Sequence, residues 1–134
     1  MSLEKYRVPP SAWTGEWIDL PDSPGDRFLV KLPSSANREW QREMLKLMVS
    51  AGVRLTDAGE VDANAVDRAS LITYREKQLT AFAKLCVIEG PPGFDLDLLT
   101  GEYWPALVAL YERAMALADA EAAQAEKAVG ESLA

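Results

Sequence analysis

The spacing of apolar and polar positions changes along the chain, and each change marks an element. Glu16-Trp17-Ile18-Asp19-Leu20 reads as a short strand, and so does Arg27-Phe28-Leu29-Val30-Lys31-Leu32. The stretch between them, Pro21-Asp22-Ser23-Pro24-Gly25-Asp26, can reverse the chain, because proline presets one turn dihedral and Gly25 tolerates positive φ. The result is a β-hairpin over 16–32, which needs to pack one face on other elements to be stable. From Ala36 to Ala51 the period becomes helical. Trp40, Met44, Leu47, Met48 and Ala51 share one face, and Arg38, Glu39, Arg42, Glu43 and Lys46 mostly take the other. Ser34 and Ser35 are the expected N-terminal caps, and Gly52 the expected C-terminal release.

A polar connection leads to a second helix, expected over about 62–88. It starts near Asp62 or Asn64 and ends near Val87 or Ile88, with Val66, Leu71, Ile72, Leu79, Phe82, Leu85 and Cys86 on its buried side. The pattern weakens between Thr73 and Gln78, which leaves room for a bend. Gly90-Pro91-Pro92-Gly93 is the strongest breaker in the chain. One short helical turn is expected at Asp95–Leu99, and a third principal helix from about Glu102 to Ala120. Pro105 is tolerated in that helix's first turn, where its missing N–H costs nothing. Its stripe is Trp104, Leu107, Val108, Tyr111, Ala114, Met115 and Ala118. From Ala120 the sequence runs AEAAQAEKAVGESLA, with high helix propensity but few large apolar groups. Residues 121–134 are therefore expected to be a helical extension that frays, or a segment that orders on a partner. Residues 1–15 read as an extended arm that Trp13 pins to the body. The predicted fold is α+β and mainly helical: an N-terminal hairpin packed on three principal helices in one domain spanning 16–120.

Composition narrows the function. A chain of 134 residues with 49% hydrophobic positions can build one core without staples. With 21 acidic and 14 basic residues the net charge is −7, which repels phosphate backbones, so nucleic acid is not an expected partner. The single cysteine, Cys86, fits a reducing compartment. No apolar run approaches the roughly 18 residues that span a membrane, and the first ten residues do not form a signal peptide. The expectation is a soluble cytoplasmic protein with no membrane association.

The chain has no histidine, so Ser-His-Asp and Cys-His catalysis are excluded, and one cysteine cannot supply a usual zinc set. No phosphate-binding glycine loop is present, and the prolines of Gly90-Pro91-Pro92-Gly93 remove the N–H donors such a loop needs. Asp95 and Asp97 form a D-x-D pair that could hold Mg²⁺, but capping of the following turn explains them better. Asp57, Glu60, Asp62 and Asp67 lack calcium-loop spacing. Cys86 sits on an apolar helix face and reads as a small core hydrophobe. The expectation is a protein that is not an enzyme and takes no cofactor and no metal. Its partner would be another protein, or a second copy of the chain. The candidate partner-binding residues are Trp13, Trp17, Tyr111 and Met115; for the two tryptophans, core packing or arm-pinning is the first reading and an interface anchor the second.

The order of these features resembles the tail assembly chaperones of long-tailed bacteriophages. The likeness covers about residues 16–118. It runs from the tryptophan-acid strand Glu16–Leu20 through the aliphatic strand Arg27–Leu32 and the turn Val87-Ile88-Glu89-Gly90-Pro91-Pro92-Gly93-Phe94. It then takes in Leu98-Leu99 and the helix start Tyr103-Trp104-Pro105-Ala106-Leu107. The resemblance implies a protein that coats the tape-measure protein, keeps its apolar helices soluble, recruits tail-tube subunits and is absent from the finished virion. It implies a location in the bacterial host cytoplasm, and no catalytic residues. Many members of the family also have a longer, frameshifted form. A structural virion component, such as a head–tail connector or minor tail protein, is the alternative.

Overall fold

The computed structural model describes residues 3, 7–52, 54–60, 62 and 67–133, with backbone alone at 128, 129 and 131–133. The expected cap Asn64 and core residue Val66 lie outside these residues, as do most of the first six positions and Ala134. The architecture is α+β and mainly helical. An antiparallel sheet of β1 (Glu16–Leu20), β2 (Ser23–Val30) and β3 (Val87–Glu89), in that spatial order, packs on α1 (Arg38–Ala51), α2 (Arg68–Cys86), α3 (Leu96–Thr100) and α4 (Trp104–Leu133).

The hairpin is tighter than expected. Its turn is Pro21-Asp22, and β2 starts at Ser23. Asp19 pairs with Arg27 but Leu20 with Ser23, so Pro24, Gly25 and Asp26 bulge out of the ladder. A bulge is where a strand accommodates proline, and Gly25 takes the positive φ of 98° that the bulge needs. Beyond β2, Lys31 N–H donates to Cys86 O at 2.8 Å and Leu32 N–H to Ser11 O at 2.7 Å. Leu32 is thereby held in the core without belonging to a strand.

Strand β3 corrects the expectation that the second helix runs to Val87 or Ile88. The helix stops at Cys86, and Val87, with ψ 112°, turns extended. Val30 pairs with Val87 and Leu29 with Glu89. Two β-branched residues ahead of Gly90-Pro91 gain more from the edge of β2 than from a further helical turn. Gly90 is forced by packing. A Cβ there would lie 2.5 Å from Phe94 Cγ, and the Phe94 ring stands edge-on to Phe28 at 5.4 Å.

The caps of the helices also differ. Asn37, not Ser34 or Ser35, caps α1: its Oδ1 accepts from Trp40 N–H at 3.1 Å while its Nδ2 donates to Leu32 O at 3.1 Å. A serine hydroxyl could not serve both directions at that reach. Gly52 ends the helix in the left-handed conformation at φ 69°, as expected. Asp67 caps α2, accepting from Ser70 N–H at 2.8 Å, and Asp62 is not helical. Helix α2 runs uninterrupted from Arg68 to Cys86. It buries only its C-terminal half, through Leu79, Phe82, Ala83 and Cys86; Leu71 and Ile72, expected inside, are exposed because the first turns extend past the core. Asp95 caps α3 through Leu98 N–H at 2.8 Å.

Helix α4 is continuous from Trp104 to Leu133, roughly 45 Å at 1.5 Å per residue. The segment after Ala120 continues this helix to Leu133. One core joins sheet and helices. Ile18, Phe28 and Val30 enter from the sheet, Trp40 and Met44 from α1, and Leu107, Leu110, Tyr111, Ala114 and Ala118 from α4. Leu110, wholly buried, is missing from the expected stripe.

Candidate partner-binding surfaces

Alternation in the hairpin sends Ile18, Phe28 and Val30 inward and leaves Trp17 and Leu29, which are register partners, on the opposite face. Among the described residues no helix covers that face at Trp17, which is 46% exposed, or at neighbouring Ile88, which is 43% exposed. Gly15 closes the group from one side. At φ 94° it carries no Cβ, and one added there would lie 3.1 Å from both Ile88 Cδ1 and Leu29 Cδ1. Arg27 places its guanidinium 5.6 Å from the centre of the Trp17 ring, and its Nε is 3.4 Å from Asp19 Oδ1. The face therefore has an apolar centre of Trp17, Leu29 and Ile88 and a charged border.

The arm forms a second surface. Pro10–Ala12 is a 3-10 turn. It is fixed by Ser11 and Ala12, which are buried, and not by Trp13, which is 62% exposed. Ser11 O accepts from Leu32 N–H, and Ser11 Oγ donates to the Glu121 carboxylate, with Oε1 at 2.7 Å and Oε2 at 2.9 Å. A small side chain can sit against the body where an indole cannot, so Trp13 is left outside. It borders a groove of about 760 Å³ between the arm and the start of α1.

The four expected contact residues are thus divided. Trp13 and Trp17 are on the surface, but on different faces. Tyr111 is only 5% exposed. Its ring packs on Phe82 at 5.1 Å and Trp40 at 6.1 Å, under the Arg75 guanidinium at 5.0 Å, so it belongs to the core. Burial pushes its phenol above the usual range. Met115 is half-buried against the same core. Leu29, Ile88, Lys31 and Arg38 were not singled out from sequence; only Leu29 had a signal there, because it shares the outward phase of its strand.

Two smaller depressions are apolar. One of about 340 Å³ lies among Leu20, Phe28, Phe94, Leu99 and Tyr103; another of about 240 Å³ lies among Leu71, Ile72, Leu79 and Trp104.

The chemistry-bearing side chains are placed as follows. Asp95 is committed to capping α3. Among the described residues no three acidic, histidine or cysteine side chains converge as metal ligands. Cys86 is wholly buried, and desolvation, with Glu39 adding to it, raises its thiol to about 12. The unfolded thiol ionises near 8.5. Its contribution to stability is therefore intact below that pH and is lost as pH rises toward 12, because only the unfolded chain releases the proton. Cys86→Ala is expected to flatten the fall in unfolding free energy between pH 9 and 11, measured by urea titration; an unchanged slope would show that the thiol is not the cause. No helix among the described residues is long and apolar enough to cross a membrane. No family model matches the chain, and no match was found among curated proteins or solved structures.

Proposed function

We propose that the chain is a non-enzymatic assembly chaperone of the phage-tail kind, holding apolar helices of a tape-measure client while tail-tube subunits are recruited. The observation that carries this reading is the uncovered sheet face, where Trp17, Leu29 and Ile88 lie together. A helix with an apolar stripe can lay that stripe across these side chains, with Trp17 as anchor and the Asp19–Arg27 pair at the rim. The net charge of −7 keeps loaded and unloaded molecules apart by mutual repulsion. The non-enzymatic part of the reading is supported by the absence of histidine, the buried protonated thiol of Cys86 and the commitment of Asp95 to a cap.

Co-expression with tape-measure segments tests the proposal. The wild-type chain is expected to raise the soluble fraction of the client several-fold. Trp17→Ala is expected to weaken capture by about 2 kcal/mol, the usual loss at an aromatic anchor, with an unchanged melting temperature. Equal client solubility with and without the chain would sink the proposal; a Trp17→Ala variant that rescues as well as wild type would remove this face from it.

A further inference from the structure

The groove beside the arm has a chemistry that the sheet face lacks. Val8, Pro10, Ala12 and Trp13 give it an apolar wall, and Arg7, Lys31 and Arg38 line it together with a single carboxylate among its described residues, Glu39. On a chain of net charge −7 this is a local reversal of sign. The arm that forms one wall is locked by the Ser11 bonds to Leu32 and Glu121, so the groove is preformed. Its volume, about 760 Å³, suits several side chains of an extended segment and is too small for a packed helix. Arg38 is the first residue of α1. The helix dipole disfavours a cation at that position, and a bound carboxylate would offset the cost.

We propose that this groove binds a short acidic segment of a partner protein, its carboxylates on Arg38 and Lys31 and an apolar side chain against Trp13. Charge complementarity selects the occupant. A peptide with a few carboxylates meets Lys31 and Arg38 locally, whereas a nucleic-acid strand brings a phosphate at every step and is repelled by the rest of the molecule. The proposal does not rest on the tape-measure client, which was assigned to a different face.

Fluorescence anisotropy with a short labelled peptide of Leu and Glu is the test, alongside its Gln-for-Glu counterpart and a labelled oligo-dT strand. The Glu peptide is expected to bind about tenfold tighter than the Gln peptide and to weaken as salt rises. The double variant Lys31→Glu, Arg38→Glu is expected to abolish that preference, and Trp13→Ala to weaken both peptides several-fold. Glutamate in the first turn of a helix favours folding; should the double variant melt early, Arg38→Gln decides instead, with an expected loss of about threefold for the Glu peptide. No binding by the Glu peptide, equal affinity for the two peptides, unchanged affinity in the charge variants, or tighter binding of oligo-dT would each overturn the proposal.

Discussion

Replacing Phe82 by alanine is expected to lower the unfolding free energy by about 3–5 kcal/mol, the usual cost of deleting a buried aromatic ring. Phe82 is wholly buried. It stands edge-on to Trp40 at 6.1 Å and to Tyr111 at 5.1 Å. One ring from α2 therefore locks a ring from α1 and a ring from α4. Its removal takes away the buried area and the quadrupole-favoured edge contacts, and it leaves a cavity that the rings fixed on the two other helices cannot close. A domain of this kind has a total stability of about 5–15 kcal/mol, so the variant is expected to be near its unfolding threshold at 37 °C. Urea unfolding followed by tryptophan emission would measure the effect. Phe82→Leu, which keeps most of the volume, is expected to recover about half of the loss. A loss below about 1 kcal/mol for the alanine variant would mean that the three helices do not share this core.

Asn37→Ala is expected to cost about 2–4 kcal/mol. Two short bonds are lost with one small side chain, together with the long one from Nδ2 to Cys86 Sγ at 3.9 Å. The cap on Trp40 N–H contributes about 1 kcal/mol. The bond from Nδ2 to Leu32 O is buried, and a carbonyl deprived of such a bond costs about 1–3 kcal/mol more. Asn37→Ser separates the two, because a serine hydroxyl can cap the helix but cannot span to Leu32. It is expected to lose only the second part. If serine and alanine destabilise equally, the cap contributes nothing. If serine is as stable as asparagine, the bond to Leu32 is dispensable.

The same residue shows what could be read from the chain. Local signals were legible. The hairpin, the glycine release at Gly52, the Asp95 cap and the α4 stripe each depend on neighbours within a few positions. Asn37 was passed over because Ser34 and Ser35 are equally good caps locally, and what selects Asn37 is Leu32 folding back to it. Strand β3 was hidden for the same reason. Val87-Ile88-Glu89 continues a helical pattern until β2 offers it an edge. Alternation placed Trp17 opposite Ile18, and the inward phase went to the residue in register with Phe28. Tyr111 fits both the stripe and a contact role in sequence, and ring packing with Trp40 and Phe82 decides for the stripe. The groove was illegible because its cations come from residues 7, 31 and 38, which no spacing rule relates.

The hydrogen bonds between Ser11 and Glu121 join residues 110 positions apart. During synthesis Ser11 leaves the ribosome before Glu121, and the carboxylate that fastens it follows more than a hundred residues later. At about 5–20 residues per second, the arm lacks that fastening for roughly 5–20 s. Closing so long a loop is also entropically costly until the body between the two ends has folded. The arm can therefore take its bond to Leu32 early, but its tie to α4 forms only once Glu121 has been made. A chain cut before Glu121 lacks that tie, so the wall of the groove is fully fastened only when the two distant ends of the fold have met.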